Sequence, residues 1–249
     1  MQAVDLILQA SRTSGSDGLQ LTESWISGLS GNGMMYIRIV TNLLSTTLTG
    51  YSLFKWGIAG FPWFMSDWAA FTSVLVQLML LWSHTRAYDP LYDNLVKAIF
   101  EIVFPFNMMT TLLYWTTYYE GQMTSDWTTW VYPLFMHAVP AATLLVEYFT
   151  NNIIFDWERG AARTLWAILS YIPLSYFVKD IWGNWAYSFI TWDSWTSHTW
   201  VIAVVAINQI FFYAFSFLNN YIKTGQGVSR EQLAQIPAQF ENILKVAGI

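Results

Sequence analysis

The run VYPLFMHAVPAATLLVEYF, residues 131–149, is apolar enough for a membrane-spanning helix, yet it carries His137 and Glu147. Ionisable side chains in hydrocarbon are costly, and they normally face a bundle interior or a polar cavity. The two lie ten residues apart, about 15 Å along a helix axis. That is too far for a His–carboxylate dyad on one straight helix. Pro140 removes the backbone donor that would meet the carbonyl of Met136, which permits a kink beside the histidine. A kinked, His-bearing helix suits a polar cavity. There His137 serves either as an interhelical hydrogen-bonding group or as a base or ligand contact. Glu147, nearer the helix end, is expected to be structural, pairing with a loop arginine such as Arg86 or Arg163.

The other polar groups in apolar runs are few. Glu101 lies one turn from Lys97, which predicts an i,i+4 ion pair at the interface. Lys179 and Asp180 are expected to reach toward a tryptophan-rich side, and Asp67 marks a helix start. Gln77, Asn107, Asn208, Gln209, Asn219 and Asn220 add amides. His84, His137 and His198 fall on different spans with no ligand spacing, so no metal site is expected. The absence of cysteine excludes disulfides and thiolate chemistry. A net charge of −5 offers no basic surface for nucleic acid. The chain holds no G-x-S-x-G elbow, P-loop or dinucleotide fingerprint. No cofactor is expected beyond bound phospholipid.

What must position these groups follows from composition. Of 249 residues, 55% are apolar and only 11% charged, against about 25% charged in a soluble domain. The charges leave apolar runs of about 20 residues, the length that crosses a hydrocarbon core. The expectation is an all-α polytopic membrane protein with a six-transmembrane-helix bundle. The spans are drawn at 34–57, 66–84, 96–118, 127–148, 164–186 and 197–222. Breaks fall at AGFPW, RAYDPLYDN, YEGQMTSD, NNIIFDWERG and TWDSWTS, which supply turn formers. Residues 1–33 then form a polar, interfacial N-terminal segment, 34–222 the six-helix domain, and 223–249 an interfacial amphipathic tail. MQAVDLILQASRTSGSDG lacks a basic n-region and long h-region, and its single Arg12 makes a weak presequence.

Loop charge tests the layout. Arg12, Arg38, Arg86, Lys97, Arg159, Arg163, Lys223, Arg230 and Lys245 fall on one side, and only Lys55 and Lys179 on the other. Such asymmetry orients the basic side toward the cytosol or matrix. Tryptophan runs the opposite way, most densely in WGNWAYSFITWDSWTSHTW. Trp182, Trp185, Trp192, Trp195 and Trp200 are either an aromatic belt at headgroup level or a rim that binds lipid or a partner protein.

FMHAVPAATLLVEYFTNN (135–152) resembles the fourth-helix signature of the androgen-induced transmembrane protein family, in which Met-His is followed ten residues later by Glu. FSFLNNYIKTGQ (215–226) resembles that family's closing helix, and FTSVLVQ (71–77) is similar to its second helix, with Gln77 at the corresponding place. The three segments occur in family order across residues 34–226. The resemblance implies a six-span intramembrane threonine hydrolase that cleaves fatty acid esters of hydroxy fatty acids. It puts the base at His137. Alignment on Gln77 puts the nucleophile at Ala70, which has no hydroxyl. Thr72 lies two residues on, about 200° around the helix, whereas Ser66 shares the Ala70 face about 6 Å nearer the membrane surface.

Two functions follow. In one, the chain is a catalytically silent, hydrolase-like protein kept as a structural, lipid-binding accessory subunit of a larger, hetero-oligomeric membrane complex, of respiratory type in the mitochondrial inner membrane. In the other, Thr72 or Ser66 works with His137 in a lipid esterase, and the family resemblance then implies the endoplasmic reticulum. A transporter is disfavoured because the polar residues form no paired broken helices across two halves.

Overall fold

The computed structural model describes residues 19–56, 64–118, 131 and 133–225. The proposed tail beyond 225 and the first eighteen residues lie outside them. Seven α-helices are seen among the described residues: α1 Gly31–Trp56, α2 Met65–Trp82, α3 Pro90–Leu113, α4 Val139–Thr150, α5 Trp157–Leu169, α6 Tyr171–Trp182 and α7 Trp195–Thr224. No strand element occurs among them, only an isolated bridge between Ser24 and Asn151.

The helix ends follow local chemistry. Asp89 caps α3, accepting from the backbone N–H groups of Leu91 (3.0 Å) and Tyr92 (3.4 Å), with Pro90 in the first turn. Asp156 caps α5 in the same way, accepting from Glu158 (3.2 Å) and Arg159 (3.0 Å). At the far end of α7, Gly225 takes φ +68°, and its N–H closes on the Tyr221 carbonyl at 3.1 Å. That left-handed cap position favours glycine.

Among the described residues, three helical segments are long and apolar enough to cross a membrane: Met65–Thr85, Pro90–Thr117 and Trp195–Thr224. They coincide with the second, third and sixth expected spans. The other three expected positions are helical but of different character. α1 has the length, at 26 residues, but carries Arg38, Asn42, Ser45, Thr49 and Ser52 on its buried face. The fourth position is a shorter apolar helix, Leu134–Thr150. The fifth is two helices, α5 and α6, separated at Ser170. Pro173 explains that break, since it cannot donate to the carbonyl of Leu169 and sits comfortably only in a first turn.

α3 is the hub, packing against α2, α4, α5 and α7, while α1 lies across α2 and α4 and α6 rests on α5. Their common core is aromatic. Phe104 stacks on Tyr148 with centroids 4.4 Å apart, Phe155 and Phe215 meet it edge-on, and the Tyr148 hydroxyl donates to the Phe215 carbonyl at 2.6 Å. Inside a bilayer, lipid tails offer an equally apolar environment, so dense packing and interhelical hydrogen bonds must hold the helices together.

Residues 19–30 belong to this core's end. Leu21 is buried and its N–H reaches Asp93 at 3.4 Å, Ser24 donates to the Thr150 carbonyl, and the Trp25 indole donates to the Phe149 carbonyl at 2.7 Å.

Candidate functional site

Two polar centres stand at opposite ends of α4. The first surrounds Glu147, which is buried at 2% exposure and pairs with Arg38 of α1, itself 1% exposed. Arg38 Nη2 donates to Oε1 at 2.6 Å and Nε reaches both carboxylate oxygens at 3.2 and 3.1 Å. Its Nη1 donates to the Leu80 carbonyl at 3.2 Å and meets His84 Nε2 at 2.9 Å. A guanidinium has no acceptor, so His84 Nε2 accepts and the imidazole proton sits on Nδ1. Leu80 lies in the last turn of α2, where carbonyls lack intrahelical partners.

The expected partners of Glu147, Arg86 and Arg163, are engaged elsewhere. Arg86 pairs with Asp89 at 2.6 Å, and Arg163 with Glu101 at 2.7 Å. The fully buried Glu101 also accepts the backbone N–H of Asp156 at 2.5 Å. The Lys97–Glu101 ion pair is therefore replaced by one between α3 and α5. Helix adjacency decides both outcomes: α1 abuts α4, and α5 abuts α3. Glu147 is thus paired with Arg38 in place of either expected arginine.

The closing-helix asparagines make hydrogen bonds within the bundle. Asn219 Oδ1 accepts the Phe155 N–H at 3.1 Å. Lys223 donates to Asn151 Oδ1 and the Ile153 carbonyl, both at 2.8 Å. The half-buried Asn220 offers its carbonyl to the Thr224 hydroxyl at 2.7 Å.

The second centre surrounds His137. Two π-helical turns meet here, Tyr114–Tyr118 after α3 and Leu134–Ala138 before α4. In the latter, the Val139 N–H bonds the Leu134 carbonyl, five residues back. The extra residue per turn lies just before Pro140, where the anticipated kink was placed. The Thr111 hydroxyl donates to the His137 carbonyl at 2.5 Å. The imidazole stacks on Tyr114 at 3.6 Å, and its Nδ1 has no hydrogen-bond partner among the described residues. Such π turns frequently occur at functional sites.

His137 lines a cavity of about 290 Å³. Met65, Met109, Leu113, Ile190 and Val204 give it apolar walls, and Phe64, Tyr114, Tyr187, Phe189 and Trp200 give it rings. Ser66, Asp67, Thr110 and Thr117 complete the lining. The Tyr187 hydroxyl accepts the Met65 N–H at 2.9 Å, tying the loop before α7 to the start of α2.

Among the residues singled out by sequence, His137, Ser66 and Trp200 therefore share one cavity. Thr72 does not line it; its hydroxyl donates to the carbonyls of Trp68 (2.6 Å) and Ala69 (3.2 Å). Ala70 is completely buried and also lies off the cavity. The remaining tryptophans form an outer cluster. Trp182 and Trp195 are exposed, Lys179 Nζ sits 4.7 Å from the Trp185 ring centroid, and Trp192 stacks on Tyr176 while its indole donates to Ser175 at 3.2 Å. Trp192 has a left-handed backbone, φ +60°, with the N–H groups of Thr191 and Trp192 both donating to Ser197 Oγ. No group of three or more His, Cys, Asp or Glu able to hold a metal ion occurs among the described residues.

Sequence reasoning passed over Arg38, assigned to a loop side without a role, and Asp67, read only as a helix start. Arg38 had a usable signal: a lone cation within an otherwise apolar run. Tyr114 had none, because its ring stacking depends on the tertiary pairing of two π turns.

Among the described residues the fold is all-helical, with three helices long and apolar enough to cross a membrane and a cavity lined by His137. No family model, no curated protein and no solved structure matches the chain.

Proposed function

We propose that the chain is a six-span integral membrane protein that binds lipid at the His137 cavity and serves as a structural accessory subunit of a larger membrane complex. In this reading it is a divergent, catalytically silent relative of the androgen-induced transmembrane family. The observation that carries it is the separation of base and nucleophile. His137 lines the cavity, whereas the position matched to the family's threonine is a buried alanine and the nearby Thr72 hydroxyl is turned onto its own helix backbone. A hydroxyl needs a base within hydrogen-bond reach to act as a nucleophile. The exposed Trp182 and Trp195 favour a lipid-facing or partner-facing rim. The mitochondrial inner membrane suits such a subunit, with the endoplasmic reticulum as the alternative.

Gentle detergent extraction from native membrane, with sizing and mass spectrometry, tests the reading. A stable particle much larger than 28.7 kDa, with fixed partners and retained lipid, supports it. A free, lipid-free monomer sinks it.

One observation favours the esterase reading: Ser66 and His137 line the same cavity. In that case hydrolysis of a fatty acid ester of a hydroxy fatty acid is abolished by Ser66→Ala and by His137→Ala, and is untouched by Thr72→Ala.

A further inference from the structure

The cavity contains a buried carboxyl group that no ion pair among the described residues engages. Asp67 is 6% exposed and lines the cavity, yet none of the three ion pairs among the described residues includes it. A carboxylate in the first turn of a helix is ordinarily explained by the helix dipole. Such residues usually face water, and one buried in an apolar chamber is far costlier unless a cation answers it. Around it stand the rings of Phe64, Tyr114, Tyr187, Phe189 and Trp200. Phe64 meets Tyr187 edge-on at 5.5 Å, and Phe189 lies 5.2 Å from Tyr187 and 5.0 Å from Trp200, so four rings form a contiguous series along the lining. Ring faces attract cations, and aromatic cages with a carboxylate are a recurrent solution for ammonium groups.

A second buried polar group in the lining agrees. His137 is 7% exposed and its Nδ1 has no hydrogen-bond partner among the described residues. In the tautomer with its proton on Nε2, that nitrogen is an acceptor. An ammonium carrying N–H groups satisfies it together with Asp67. A fatty-acid carboxylate in the same space sets a second acidic group beside Asp67, with no cation among the cavity-lining residues to answer either one.

We propose that this cavity receives the ammonium head of a zwitterionic lipid, with Asp67 as counter-ion, the aromatic rings as cation–π walls and His137 Nδ1 as a hydrogen-bond acceptor. This rests on the lipid-binding reading above and specifies which end of the lipid enters. At about 290 Å³, at the small end of the roughly 300–1,000 Å³ range of ligand pockets, the chamber suits a head group rather than two acyl chains. Its position at the start of α2 and of α7, beside the tryptophan cluster, is where a span begins and where headgroups lie.

The test is native mass spectrometry of the full chain in mild detergent, titrated with phosphatidylethanolamine, phosphatidylcholine or phosphatidylglycerol of matched acyl chains. The expected result is at least tenfold tighter retention of the ethanolamine lipid than of the glycerol lipid. Asp67→Asn and Trp200→Ala each remove most of that difference, while Asp67→Glu keeps it and the exposed control Glu158→Gln changes nothing. Thermal unfolding of each variant identifies one that fails to fold, and the isosteric Asp67→Asn variant decides the matter. Choline lipid binding as tightly as ethanolamine lipid supports the cage and removes His137 from it. Equal retention of glycerol and ethanolamine lipids, or an Asp67→Asn protein that binds like the parent, overturns the proposal while leaving lipid binding intact. No retention of any lipid overturns both.

Discussion

Arg38 and Glu147, 109 residues apart in the chain, lock α1 to α4 through a 2.6 Å ion pair with both partners buried. Removing one member strands the other. Glu147→Ala is expected to cost about 3–5 kcal/mol, the range for an uncompensated buried charge, whereas Arg38→Met with Glu147→Leu costs far less because no charge is left unpaired. Thermal unfolding of both single variants and the double variant in detergent measures the coupling. Additive losses mean that the pair does not couple.

Gly160 is a close-approach position. A methyl group there meets the ring of Phe212 and comes within 3.4 Å of Glu101 Oε2. Overpacking of this kind costs about 1–3 kcal/mol, so Gly160→Ala is expected to lower the melting temperature and to loosen the Arg163–Glu101 pair. Gly50, in α1, has nothing within 4 Å of the same added atom. Gly50→Ala is expected to be neutral or stabilising by up to about 1 kcal/mol. Equal effects at the two sites contradict the packing described.

The adjacent asparagines of the closing helix are not equivalent. Asn219 is fully buried and answers the Phe155 N–H, whereas the side chain of Asn220 is half-buried on the neighbouring face. Asn219→Ala leaves a buried backbone donor unmet and is expected to cost about 1–3 kcal/mol. Asn220→Ala is expected to stay within about 0.5 kcal/mol of the parent. Hydrogen exchange at Phe155 reports the same difference locally.

Composition and turn residues made the helical architecture legible, because a bilayer-length apolar run states its own period and ends. The second, third and sixth segments emerged close to their expected limits. α1 and the α5–α6 break were harder, since a helix with Arg38 and four small polar residues on its buried face reads as weakly apolar. His137 was legible as a buried polar group, and the site's other half was not. Asp67 looks like any first-turn acid until the loop carrying Tyr187 and the start of α7 close over it. Partner choice among Arg38, Arg86 and Arg163 depended on which helices touch, and no local pattern encodes that.

The crossing number follows from which loops share a side, and the cysteine-free sequence makes that directly measurable. Six crossings put the α2–α3 loop and the start of α5 on one face, and the loop before α7 on the other. Tyr88, Glu158 and Asp193 are exposed positions in those three places. Single variants Tyr88→Cys, Glu158→Cys and Asp193→Cys in sealed, oriented vesicles are expected to react with a membrane-impermeant thiol reagent as two from one side and Asp193→Cys from the other. The α5–α6 break is the critical point, because a re-entrant pair at Ser170 returns the chain to its starting face. In that case all three cysteines react from the same side. That outcome contradicts the Tyr187–Met65 hydrogen bond, which holds the loop before α7 at the start of α2, the end opposite the α2–α3 loop.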